Sequence, residues 1–149
     1  GGETATPEML SWPLEVGDSI EVSALFTGRV HPITGERHEH RGIDIPRPEG
    51  TAVLAAADGT VLEAGFTPQE GNYVLLEHGE LTTKYTHLKE CSAGVGEKVS
   101  VGEQIGQVGR TGMATGSHLH FETEAAGVLV DPLTLLDEGV TVLVGSVGQ

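Results

Sequence analysis

Seven histidines lie in this 149-residue chain, and two pairs of positions have spacing suited to metal chemistry. The first is His40-Arg41-Gly42-Ile43-Asp44, with a histidine and a carboxylate four residues apart. Gly42, Ile43, Ile45 and Pro46 disfavour a helix, so the segment reads as extended. Alternation then places His40, Gly42 and Asp44 on one face, with Gly42 leaving room for an ion between two ligands. The second is His118-Leu119-His120, where a strand projects both imidazoles from one face and turns Leu119 and Phe121 into the core. Two neutral histidines and a carboxylate form a hydrolytic zinc set with one position left for water. The ion lowers the pKa of that water to about 7 and polarises a carbonyl. His87, in Tyr85-Thr86-His87-Leu88, ends a further strand and can serve as a base or an oxyanion donor.

Spacing alone leaves other readings open. His-x-His also occurs without a metal, and a His–Asp pair is often a surface ion pair. His38 stands two residues before His40 and could compete with it as a ligand, although its polar neighbours make it read as exposed. His31 before Pro32 and His78 before Gly79 read as turn residues without chemistry. Arg29 and Tyr85 read as structural or substrate-lining.

These side chains must be held by strands, because sustained 3.6-residue periodicity is absent. Strands are predicted over 52–56, 60–64, 72–77, 82–87, 98–101 and 118–122, each rich in β-branched or aromatic residues and bounded by turn residues. The segments from Gly50 to Val61 and from Gly96 to Gly106 resemble each other, each reading as a strand, a glycine turn and a strand. Pro132–Leu136 reads as a short helical turn capped by Asp131. Twenty-two glycines spread along the chain fit many tight turns. The expectation is an all-β, mainly antiparallel single domain over 12–149, a small sandwich or open sheet crossed by a substrate groove. Residues 1–11 are expected to be a flexible lead-in, followed by Trp12 as an edge anchor.

Composition narrows the partners. A formal net charge of −14 with only 8 basic residues excludes a phosphate-binding surface, so no nucleic acid is expected. A lone Cys91 excludes an intramolecular disulfide and a cysteine-based zinc site. No apolar run reaches the roughly 18 residues that span a bilayer. The chain opens Gly1-Gly2-Glu3 without an initiator Met, so a targeting segment or anchor upstream is not visible. A monomer is expected.

In its ordered motifs the chain resembles the lysostaphin-type (LytM-like) zinc metallopeptidases. The likeness runs through Trp12-Pro13, Phe26 to Gly35, His40-Arg41-Gly42-Ile43-Asp44-Ile45, Ala55 to Val61, Tyr85-Thr86-His87-Leu88 and Gly109 to Glu122, with Asp131-Pro132 following. The resemblance implies that His40, Asp44 and His120 bind Zn2+. It implies that His87 and His118 are the catalytic pair that orients or deprotonates water and stabilises the tetrahedral intermediate. It also implies an endopeptidase acting on the peptide part of peptidoglycan, outside the cytoplasm (periplasmic, cell-surface or secreted). All five positions are filled, unlike the family's degenerate activators. One departure is Thr27, where the family usually has glycine after the Phe. Two other readings remain: a wall-binding or hydrolase-activating module that keeps the ligands without catalysis, and a sugar-phosphotransfer carrier with a phosphorylatable histidine, which leaves Asp44 unexplained.

Overall fold

The computed structural model describes residues 5–30, 37–114 and 116–144, with 28–30 and 37–39 described by backbone alone. His31 therefore lies outside the described residues, as do the side chains of Arg29 and His38. Among the described residues there are thirteen strands and one 3-10 turn. The strands are β1 (Ser19–Val22), β2 (Thr27–Val30), β3 (Arg37–His40), β4 (Ile43–Pro46), β5 (Ala52–Leu54), β6 (Gly59–Thr67) and β7 (Gly71–His78). There follow β8 (Leu81–Cys91), β9 (Lys98–Val99), β10 (Gln104–Val108), β11 (His118–Ala125), β12 (Val128–Val130) and β13 (Thr141–Val144). No helix among these residues is long and apolar enough to cross a membrane.

The expected all-β, mainly antiparallel architecture is what forms. Nine strands make one sheet, with the path β12-β11-β8-β7-β6-β9, β4 beside β11, and β10 between β5 and β8. Its centre is built by alternation. Val74 and Leu76 on β7, Tyr85 on β8 and Leu119 and Phe121 on β11 are fully buried, and Tyr85 and Phe121 pack ring on ring at 5.3 Å. Two small sheets flank it: β1 with β13, in parallel, and β2 with β3, antiparallel.

The two similar segments do not fold as separate hairpins. They pair with each other instead: β5 lies antiparallel to β10, and the start of β6 antiparallel to β9. Their strands are too short to bury a face alone, and crosswise pairing closes one common core around Val53, Val61, Val99 and Ile105.

The turn at Pro132–Thr134 is a 3-10 helix as short as expected, with the Asp131 carboxylate accepting from the Leu133 N–H at 3.0 Å. Trp12 is buried and donates its indole N–H to Asp137 O at 3.1 Å. The segment expected as a lead-in makes native contacts before Trp12. Leu10 is buried, donates to Leu135 O and accepts from Asp137 N, while Thr6 Oγ1 accepts from the Glu80 N–H. An apolar Leu10 within a polar stretch supplies the reason.

His78 is not a turn residue. It closes β7 with no exposed surface and lies in a polar chain inside the core. His78 Nδ1–H donates to Asp58 O, Thr83 Oγ1–H donates to His78 Nε2, Tyr85 O–H donates to Thr83, and the Ala56 N–H donates to Tyr85. Every proton in this chain has one direction, because only a carbonyl can accept at one end and only an N–H can donate at the other.

Candidate active site

The expected site residues arrive on four strands. His118 and His120 stand on the same face of β11, with Leu119 and Phe121 fully buried on the other. Asp44 faces His120 directly across the β4–β11 ladder. His40 comes from β3, opposite Thr27 on β2, and its backbone N–H donates to Thr27 Oγ1 at 3.1 Å. Thr27, the departure from the usual glycine, thus helps fix a histidine of the site.

The segment from His40 to Asp44 is not one continuous strand. β3 ends at His40 and β4 begins at Ile43, with Arg41 and Gly42 as the break between them. Gly42 does not hold open a space for an ion. A Cβ there would lie 2.1 Å from Phe121 O and 3.0 Å from Glu122 Cγ, so its bare backbone lets the chain press onto β11. That approach brings His40 and Asp44 together with His120.

One ligand atom from each of His40, Asp44 and His120 lies within 4.8 Å of the others. His40 Nδ1–H donates to Leu25 O at 3.0 Å and its Nε2 points at Asp44 Oδ2, 3.2 Å away. His120 Nδ1 is 2.7 Å from Asp44 Oδ1. Asp44 accepts from both rings, and although burial opposes its charge, those bonds hold the carboxyl well below the usual range. Burial likewise works against charge on His120, but Asp44 and Glu122 outweigh it and push this imidazole up to about 9. The bond to Asp44 raises His40 as well. A carboxylate held ionised between two imidazoles, with three donors converging on one small volume, suits a divalent cation bound by nitrogen and oxygen.

Glu122 is a site residue to which the spacing argument assigned no role. Its Oε2 accepts from His120 Nε2–H at 2.8 Å, with its side chain nearly buried and Arg41 Nε 3.7 Å from Oε1. The signal was present: the alternation that aligns 118 with 120 also aligns 122. An outer carboxylate on the far nitrogen of a histidine fixes the ring's tautomer and direction toward a metal.

His87 lies within β8, not at its end, and it adopts φ +62°. This left-handed conformation is rare for a side-chain-bearing residue and marks local strain of the kind concentrated at functional sites. The kink brings its ring centroid to 5.1 Å from that of His118 and 6.2 Å from that of His120. His87 Nδ1–H donates to Thr111 O at 2.8 Å, and His118 Nδ1–H donates to Gly116 O at 3.0 Å. Both rings therefore carry a proton on Nδ1, and neither Nε2 makes a hydrogen bond among the described residues. Burial lowers the pKa of His87, which keeps it neutral. His118 Nε2 lies 3.7 Å from Asp44 Oδ1.

The four histidines line an open groove of about 600 Å³ with Asp44, Arg41, Gln69, Glu70, Lys84, Met113 and Glu122. Lys84 pairs with Glu70 on its wall.

Comparison with known proteins bears on the family and the fold. Residues 38–132 match peptidase family M23. The chain is 42% identical over 120 residues to the peptidoglycan DD-endopeptidase ShyC of Vibrio cholerae, covering 79% of this chain and 28% of that protein. A zinc-containing peptidase from Vibrio cholerae superposes with a TM-score of 0.76 at 33% identity, over 88% of this chain and 40% of that one. The catalytic domain of lysostaphin from Staphylococcus simulans superposes with a TM-score of 0.65 at 30% identity, over 76% of this chain and 90% of that one. The chain spans between about a quarter and about a third of the length of the curated relatives it matches. A match over most of the sequence, together with the same fold, shows that the chain belongs to peptidase family M23.

Proposed function

We propose that this domain is a zinc-dependent endopeptidase that cleaves peptide bonds in bacterial peptidoglycan and works outside the cytoplasm. The observation that carries this reading is the pair of imidazoles, on His87 and His118, each held at Nδ1 by a backbone carbonyl beside the converging His40–Asp44–His120 set. His40, Asp44 and His120 would hold the ion, and Glu122, accepting a hydrogen bond from His120 Nε2–H, would leave Nδ1 as that ring's ligand atom. Zinc bound there supplies Lewis-acid polarisation of the scissile carbonyl and acidifies a water.

The rest is done by the chain's own groups. A neutral Nε2 on His118 or His87 accepts the proton of the attacking water. The same nitrogen, now protonated, donates it to the departing amine. The second imidazole, carrying protons on both nitrogens, would donate an Nε2–H hydrogen bond to the carbonyl oxygen as charge builds there. The DD-endopeptidase relative favours a bond between two D-residues of a cross-link.

The test combines metal analysis with digestion. Wild-type protein should carry about one zinc per chain and convert cross-linked muropeptide dimers to monomers, read by mass spectrometry. Asp44→Ala and His120→Ala should lose the metal. His87→Ala and His118→Ala should keep it and lose turnover by roughly 10²-fold or more. Zinc-free wild type after zinc supplementation, or uncut dimers with full zinc, defeats the reading. Full cellular function in a His87→Ala/His118→Ala double variant would point instead to a non-catalytic module.

A further inference from the structure

His87 occupies the most constrained position in the groove, and its surroundings explain how it stays there. Its backbone N–H donates to Glu70 O at 2.7 Å and its ring donates to Thr111 O at 2.8 Å. The β7–β8 ladder cannot hold it, because the register shifts between Asn72 and Val74 just across from the kink. Thr111 fills that gap. Its hydroxyl donates to Leu88 O at 2.7 Å and accepts from the Asn72 N–H at 3.1 Å, joining β7 and β8 where their own pairing fails. The Asn72 side chain closes the same gap by donating to Leu88 O at 3.0 Å and Lys89 O at 3.3 Å.

Two glycines make room for this clamp. A Cβ on Gly71 would lie 2.3 Å from Thr111 Oγ1, and one on Gly112 would lie 2.4 Å from Gly71 N. Both also have positive φ, which side chains resist. The Thr-Gly and Gly-Asn pairs therefore form one device rather than two unrelated turns.

We propose that Thr111 is a positioning residue for His87. Its hydroxyl pins the 111 carbonyl to β7 and β8, and the pinned carbonyl holds the His87 proton on Nδ1 and aims Nε2 into the groove. The reaction part of this inference rests on the endopeptidase reading; the tautomer part does not. Valine at 111 matches threonine in shape and removes both hydroxyl bonds, while serine retains them.

The experiment uses the zinc-loaded protein, with kcat and KM measured on muropeptide dimers and the His87 tautomer read by ¹⁵N NMR. In the wild type, His87 should be a single Nδ1–H tautomer; an Nε2–H tautomer overturns the proposal even if no variant folds. Thr111→Val should lower kcat by about 10- to 100-fold, as expected for a misplaced catalytic group. It should leave KM and zinc content within about 2-fold and turn the His87 signal into a mixture of tautomers. Thr111→Ser should restore kcat to within about 3-fold of wild type. Wild-type kcat and a single tautomer in Thr111→Val, or a serine variant as impaired as the valine one, overturns the proposal. His87→Ala, run alongside, separates the two ideas. If it keeps turnover, the catalytic reading of His87 fails, and the tautomer in Thr111→Val alone decides whether Thr111 positions the ring.

Discussion

Glu122 illustrates how a single carboxylate can matter to a site without touching the reacting atoms. It is nearly buried and accepts a hydrogen bond from His120 Nε2–H, which would leave Nδ1 as the nitrogen of that ring able to face an ion. Glu122→Ala should weaken zinc binding by about 10- to 100-fold, measured by competition with a chromophoric chelator, and Glu122→Gln should weaken it less because an acceptor remains. Unchanged affinity in the alanine variant would remove Glu122 from the metal site. At this scale the sequence was most informative where a rigid period of two applied. His118 and His120 share a face as expected, and Asp44 comes opposite His120. Reading failed where the period broke. Arg41 and Gly42 interrupt the extended run, and His87 sits at a left-handed kink that no local pattern announces. The purpose of Gly42 was hidden for a related reason, since its neighbours on β11 are some eighty positions away in the chain.

Among the strands, the buried run from Ala56 to His78 ties the edge of the core to β7 and β8 through one-directional hydrogen bonds. A second proton on His78 Nε2 would face the Thr83 hydroxyl and force the whole run to reverse or break. Burial lowers the pKa of His78, with only partial compensation from Asp58 and Glu77. The folded value is thus below the unfolded one of 6.5, so the unfolded chain binds the extra proton first as pH falls. The contribution is present above pH 6.5 and is lost below it. Urea unfolding at pH 7.5 and 5.5 should show a smaller acid loss of stability in His78→Gln than in the wild type. An identical loss in both would show that His78 carries none of it. The strands themselves were legible where β-branched runs were flanked by turns, as for β6, β7, β8 and β11. Pairing was not. The two similar segments looked like hairpins because each contains the ingredients of one, and only the shared core between β5–β10 and β6–β9 selects the crossed arrangement.

For the molecule as a whole, charge and composition led to the expectation of a β-rich domain without a phosphate-polymer partner, and they said nothing of how Leu10 and β1 meet Leu136 and β13. That meeting depends on contacts more than a hundred positions apart: Leu10 bridges Leu136, and β1 pairs with β13, in both cases with the chains running in parallel. Parallel partners near opposite ends of a chain have a mechanical consequence. If the two ends are drawn apart, Ser19 to Val22 and Thr141 to Val144 slide along one another, so their bonds are loaded together instead of opening one at a time. The domain should behave as a shear clamp under tension. Single-molecule pulling through its ends should show a higher rupture force than pulling through a pair of positions that peels β13 from its end, and equal forces would remove the clamp from the picture. Such a joint would keep β1, β13 and the core they close folded while the chain on either side is under load.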